Sequence, residues 1–275
     1  MLEKLQTINR ERLSVLIALI LISLGLLPLI ESPTSGIGAS FFGTPLKLEF
    51  SATTVVALLA AALACAGIDT LLRAHPKVRR GEVTRTLPYW IVPALTVVVA
   101  SQILTSLSTP TTWVGVLLIT GLLLWLECSA EYALIDPEGP AAGRARMFLN
   151  ALAYILAALL FGLIWNSRAR SLLSASLMFI VTFSLAVDLL WQSRADGRRV
   201  VLLSVAVAIV MAEANWAINY WNTTVFVAAP AQLFIFYALV GLTSQYLIDR
   251  LNRRVLIEFA IVILAALVLL LRGRG

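Results

Sequence analysis

Glu127 and Glu131 stand four residues apart in WLECSAEYALID, residues 125–136. On a helix that spacing turns both carboxylates to one face, and the residues around them are apolar enough for lipid. A carboxyl in hydrocarbon must be protonated, paired or wetted, so it marks a proton, ion or ligand path, or a partner contact. Asp69 and Asp188 end two other apolar runs in the same way. Together these four acids form an inner layer, joined by Gln245. An outer layer holds Gln102, Glu213, Asn215, Asn219 and Gln232. Gln102, Glu213 and Gln232 fall at comparable depth on different helices and would meet if those helices were neighbours.

Each group also has a plain structural reading. Asp69 and Asp188 lie near enough to water to bind helix ends or loop arginines such as Arg73 and Arg194. Glu213 sits in MAEANWAINYW, where Glu213, Trp216 and Tyr220 recur at helical spacing and line one face, with Asn215 and Asn219 on the adjacent one. Lysine and arginine are missing from the span centres, so a buried carboxylate must look elsewhere for a partner.

The elements that position these groups are membrane helices. Of 275 residues 60% are hydrophobic and 13% charged, and mean hydropathy is +0.92. Soluble domains carry about a quarter charged residues. The expected fold is therefore an all-α, polytopic helical bundle forming a single transmembrane domain. Nine spans are expected, near 13–30, 51–72, 87–107, 113–135, 147–165, 172–191, 200–220, 225–248 and 255–271. The first reads as a retained span, being long for a signal peptide and followed by a poor cleavage cue. Pro93 marks a place where the third could kink, and Pro230 lies near the start of the eighth. The polar stretch 32–49 reads as the longest outer loop, with Phe41 and Phe42 dipping into the interface.

Orientation follows from charge. Of 21 basic residues, all but Lys47, Arg168, Arg170, Arg272 and Arg274 fall on one side of this arrangement, which puts the N-terminus in the cytoplasm. Trp90, Trp113, Trp165, Trp191 and Trp221 lie near span ends, as interface anchors do. The formal charge of +6 reads as topology rather than nucleic-acid binding, since the basic residues sit in short loops. Asn222-Thr-Thr matches a glycosylation pattern in a turn too short to serve well. YALID at 132–136 and YLID at 246–249 hint at duplicated hairpins.

The chemistry that these residues could support is narrow. Cys65 and Cys128 give neither a disulfide framework nor a ligand spacing, and the lone His75 lies in a loop, so no cofactor is expected. A cluster of inner carboxylates could hold Mg²⁺ for a lipid pyrophosphate, but the dense aspartate motifs of such enzymes are missing. Nucleotide loops, metalloprotease motifs and nucleophile–base couples are missing too. The leading expectation is an accessory or scaffold bundle that contacts membrane lipids and a membrane protein complex or its own copies. Transport of a small solute, ion or lipid through Glu127, Glu131 and Glu213 is the alternative, and a lipid-modifying enzyme the third. Short loops and heavy Ala and Leu usage suggest a bacterial inner membrane.

Overall fold

The computed structural model describes the backbone of residues 2–29, 35–41, 44–50, 52–83, 85–167, 171–193, 195–221 and 223–272. The side chains of Phe41 and Phe42, the outward arginines Arg168, Arg170 and Arg274, the loop residue Arg194 and the glycosylation pattern at Asn222 lie outside that description. The chain forms two compact units, Met1–Arg146 and Met147–Gly275.

The first unit contains α1 (Leu2–Gly25), a hairpin of β1 (Ser35–Phe41) and β2 (Thr44–Phe50), α2 (Ala52–Arg73), the short α3 (Pro76–Arg79), α4 (Ile91–Ser106) and α5 (Pro110–Leu134). Its core joins Ile20 and Leu24 of α1, Ala64 and Ile68 of α2, Val97 and Leu104 of α4, and Leu124 of α5. Small residues set the spacing. A Cβ on Gly67 would run into the Leu16 side chain, so this glycine lets α1 and α2 approach closely.

The second unit holds most of α6 (Ala142–Asn166), then α7 (Ser171–Trp191), α8 (Gly197–Asn219), α9 (Val225–Leu247) and α10 (Arg253–Arg272). Trp165, Ile218, Ala228, Ala231, Ala266 and Leu270 form one of its packed clusters, drawn from α6, α8, α9 and α10. Gly241 of α9 receives the ring of Phe259 where any Cβ would stand. Only 11% of the apolar stretch of α10 is buried, so this helix turns most of its apolar surface outward.

Among the described residues eight helices are long and apolar enough to cross a membrane, one fewer than expected. The difference lies at α1, whose first half carries Glu3, Lys4, Arg10, Glu11 and Arg12. Its apolar half gives way after Gly25 to a 3-10 turn at Leu27–Leu29, too soon to match the hydrocarbon core by itself. The protein is nonetheless a multi-pass, all-α membrane bundle, and among the described residues one small hairpin departs from helix. That hairpin replaces much of the expected outer loop, pairing Ile37 with Leu48 and Ala39 with Leu46 in antiparallel register.

The third span also differs in detail. Leu87–Trp90 is a 3-10 turn, so α4 begins at Ile91 and Pro93 falls in its first turn. There the missing N–H costs nothing, and no kink is required. Pro110 likewise opens α5, three residues before the expected start of the fourth span at 113.

Candidate functional site

The buried stripe of α5 runs through Thr120, Gly121, Leu124, Glu127, Cys128 and Glu131, a spacing that keeps one helical face toward the core. Glu127 and Glu131 therefore take positions that an apolar side chain would ordinarily fill. Their exposures are 0% and 1%. Thr96, buried on α4, donates its hydroxyl to Glu127 Oε1 at 2.7 Å. Glu127 Oε2 is buried with no hydrogen-bond partner. One oxygen of this carboxyl is thus fixed by a neighbouring helix, and the other is left able to hold a proton or meet an incoming group.

Asp69 belongs to a different arrangement. Its Oδ2 accepts from Arg73 Nε at 2.5 Å and its Oδ1 from Thr86 Oγ1 at 2.6 Å, tying the foot of α2 to the segment before α4. This is the structural reading of that residue. Nearby, Lys77 Nζ pairs with Asp136 Oδ1 at 2.7 Å. Hydrogen bonding with Asp136 raises the Lys77 pKa, and the same bond lowers that of Asp136. His75 caps α3 by accepting from the Lys77 N–H, packs edge-on against Tyr132 at 4.6 Å between ring centroids, and has its pKa lowered chiefly by burial.

In the second unit the outer-layer residues separate by face. Asn215 and Gln232 are fully buried, whereas Glu213 is exposed. Gln232 Nε2 donates to Asn215 Oδ1 at 2.8 Å, and Ser174 Oγ accepts from Asn215 Nδ2 at 3.4 Å and Asn219 Nδ2 at 2.9 Å. These bonds join α7, α8 and α9 through a polar cluster. Glu213 lies two residues past the core position Met211, about 200° around the helix. Its companions Trp216 and Tyr220 are 53% and 77% exposed, joined by a bond from Trp216 Nε1 to Tyr220 Oη at 3.1 Å. The face expected from their spacing exists, and it points outward. Glu213 and Gln232 are not brought together; Gln102, in the first unit, is exposed on α4.

Asp188 is 7% exposed, with Oδ2 buried and unpartnered. One turn on, Gln192 Nε2 donates to Asn150 Oδ1 on α6 at 2.7 Å. Sequence reasoning did not single out Asn150, Gln192, Ser174 or Ser204. Their signal was position: each falls on the same stripe as the core residues of its helix, or at its end.

No group of three His, Cys, Asp or Glu side chains suited to a metal ion occurs among the described residues. A Mg²⁺ site of clustered carboxylates is accordingly not assembled there. The two aspartates of the hinted repeat also differ locally. Asp136 pairs with Lys77, while Asp249 follows α9 with a φ of 54°.

The chain matches the family model described as "Protein of unknown function (DUF5656)" over residues 32–272. No curated protein and no solved structure matches it. Because the matched region takes in all eight span-length helices and most of both compact units, the chain belongs to the DUF5656 family.

Proposed function

We propose that this protein exchanges protons within the membrane, at Glu127, as part of moving an ion or small solute across it. The observation that carries this reading is the Glu127 carboxyl, fully buried on a span-length helix, one oxygen held by Thr96 and the other unpartnered. Burial of an ionisable group at such a position is costly, and proton relays are a common use for one. Glu131, one turn away on the same buried stripe, supplies a second carboxyl toward the foot of the helix. The orientation expected from loop charge would open that foot to the cytoplasm of a bacterial inner membrane.

The test is proton flux in liposomes containing the full chain, driven by a membrane potential and read with an entrapped pH dye. Wild-type protein should carry protons above empty liposomes, and Glu127→Gln should abolish that excess. Flux unchanged in Glu127→Gln would overturn the reading.

A second reading, an accessory bundle that supports a partner complex or its own oligomer, draws on Glu213. An exposed acid on a spanning helix, bordered by Trp216 and Tyr220, suits contact with another membrane protein better than contact with lipid. Photocrosslinking from position 213 in native membranes would separate the two: adducts with a protein support this reading, and adducts with lipid alone contradict it.

A further inference from the structure

The second unit carries an unusual row of unsatisfied buried oxygens. Hydroxyls on membrane helices ordinarily bond back to a carbonyl three or four residues earlier. In this unit Ser176, Ser184 and Thr243 do so. Ser204, fully buried on α8, does not, and its Oγ has no partner. The same holds for Thr182 on α7. Asp188 Oδ2 and Gln192 Oε1 are also buried without partners. In a membrane interior, where water is scarce, such atoms call for an occupant.

The helix pairing brings two of them, Asp188 and Ser204, to one level. Ser174 on α7 bonds Asn215 and Asn219 on α8, and the two helices are antiparallel neighbours. Moving 14 residues along α7 from Ser174 to Asp188, and equally far back along α8, arrives between residues 201 and 205. Ser204 falls there, on the buried stripe of α8. Gln192 lies four residues beyond Asp188, just past the end of α7, anchored to Asn150 of α6.

We infer that Asp188, Ser204 and Gln192 form a binding site for a small monovalent cation. The donors are all oxygens, which selects a hard ion. One carboxylate and two neutral oxygens neutralise a single charge; a divalent ion would leave an uncompensated charge in an apolar bundle. Entry is short. Asp188 stands three residues before Trp191, the last residue of α7, or roughly 4.5 Å along the axis. An ion can therefore arrive from the helix end and shed part of its hydration onto protein oxygens. This site lies wholly within the second unit and does not depend on the Glu127 reading.

The experiment is equilibrium binding of radiolabelled Na⁺ to the full chain in detergent, by scintillation proximity, with choline as the background cation. Saturable binding displaced by unlabelled Na⁺ is expected for the wild type and for the exposed loop variant Glu138→Gln. Asp188→Asn should lose it. Ser204→Ala, a milder change, should weaken it roughly tenfold, the effect of one neutral ligand. The inference is overturned if folded wild-type protein shows no saturable Na⁺ binding, or if both variants bind Na⁺ as the wild type does.

Discussion

The Thr96 hydroxyl donates to Glu127 Oε1 at 2.7 Å, linking α4 to α5 inside the first unit. Neither side chain is exposed beyond 4%, so the bond is made where water cannot replace it. Thr96→Val keeps the shape and removes the donor. It should destabilise the protein by about 1–3 kcal/mol, the cost of stranding a buried acceptor. Glu127→Gln retains an oxygen for Thr96 and should cost less. Thermal unfolding of both variants in the same detergent checks the order, and equal losses would contradict it.

The cap at α3 is pH-sensitive through His75. Its Nδ1 accepts from the Lys77 N–H at 3.2 Å, which requires a ring unprotonated at that nitrogen. Burial lowers the folded pKa below the ordinary 6.5, so the unfolded state binds the proton more readily. The cap's contribution is therefore present above pH 6.5 and lost as pH falls through the lower folded value. The Lys77–Asp136 pair persists over a wider range, from above the usual carboxylate value of 3.8 up to the usual lysine value of 10.5. Amide protection across 74–82, after correction for the intrinsic pH dependence of exchange, should fall on acidification while Asp136 is still ionised. His75→Asn, which keeps an acceptor at the cap without titrating there, should flatten that response.

Asp249 adopts a φ of 54° just after α9, where its N–H bonds Tyr246 and the next N–H bonds Gln245. A left-handed residue at this point closes the helix, and glycine adopts the conformation most readily. Asp249→Gly should stabilise the protein by about 1 kcal/mol, seen as a higher unfolding temperature. A decrease would mean that the Asp249 side chain holds something more than the turn.

Much of this architecture was legible in the sequence because lipid imposes a simple rule: long apolar runs between short basic loops. The positions of α2 and α5 to α10 follow from it within a few residues. The hairpin was missed although TPLKLEF, residues 44–50, alternates apolar and polar residues with the period of a strand; its polar surroundings read as loop. The helical spacing of Glu127 and Glu131 correctly put both on one face. Depth alone, however, could not tell Gln232 from Glu213, since depth says nothing of direction around the helix. The core stripe of α8, Val207, Ala208, Met211 and Asn215, carried that information, and it turns Glu213 outward. Ser204 escaped notice because a serine on a membrane helix ordinarily bonds its own backbone.

The central claim is that the Glu127 carboxyl gains and loses a proton while buried. Infrared difference spectroscopy on the full chain in lipid, stepping pH and subtracting Glu127→Gln from wild type, observes that proton directly. The account predicts a protonated-carboxyl stretch that depends reversibly on pH in the wild type and is missing from the variant. A difference spectrum with no pH-dependent carboxyl band would mean that Glu127 never exchanges its proton, and would contradict the account.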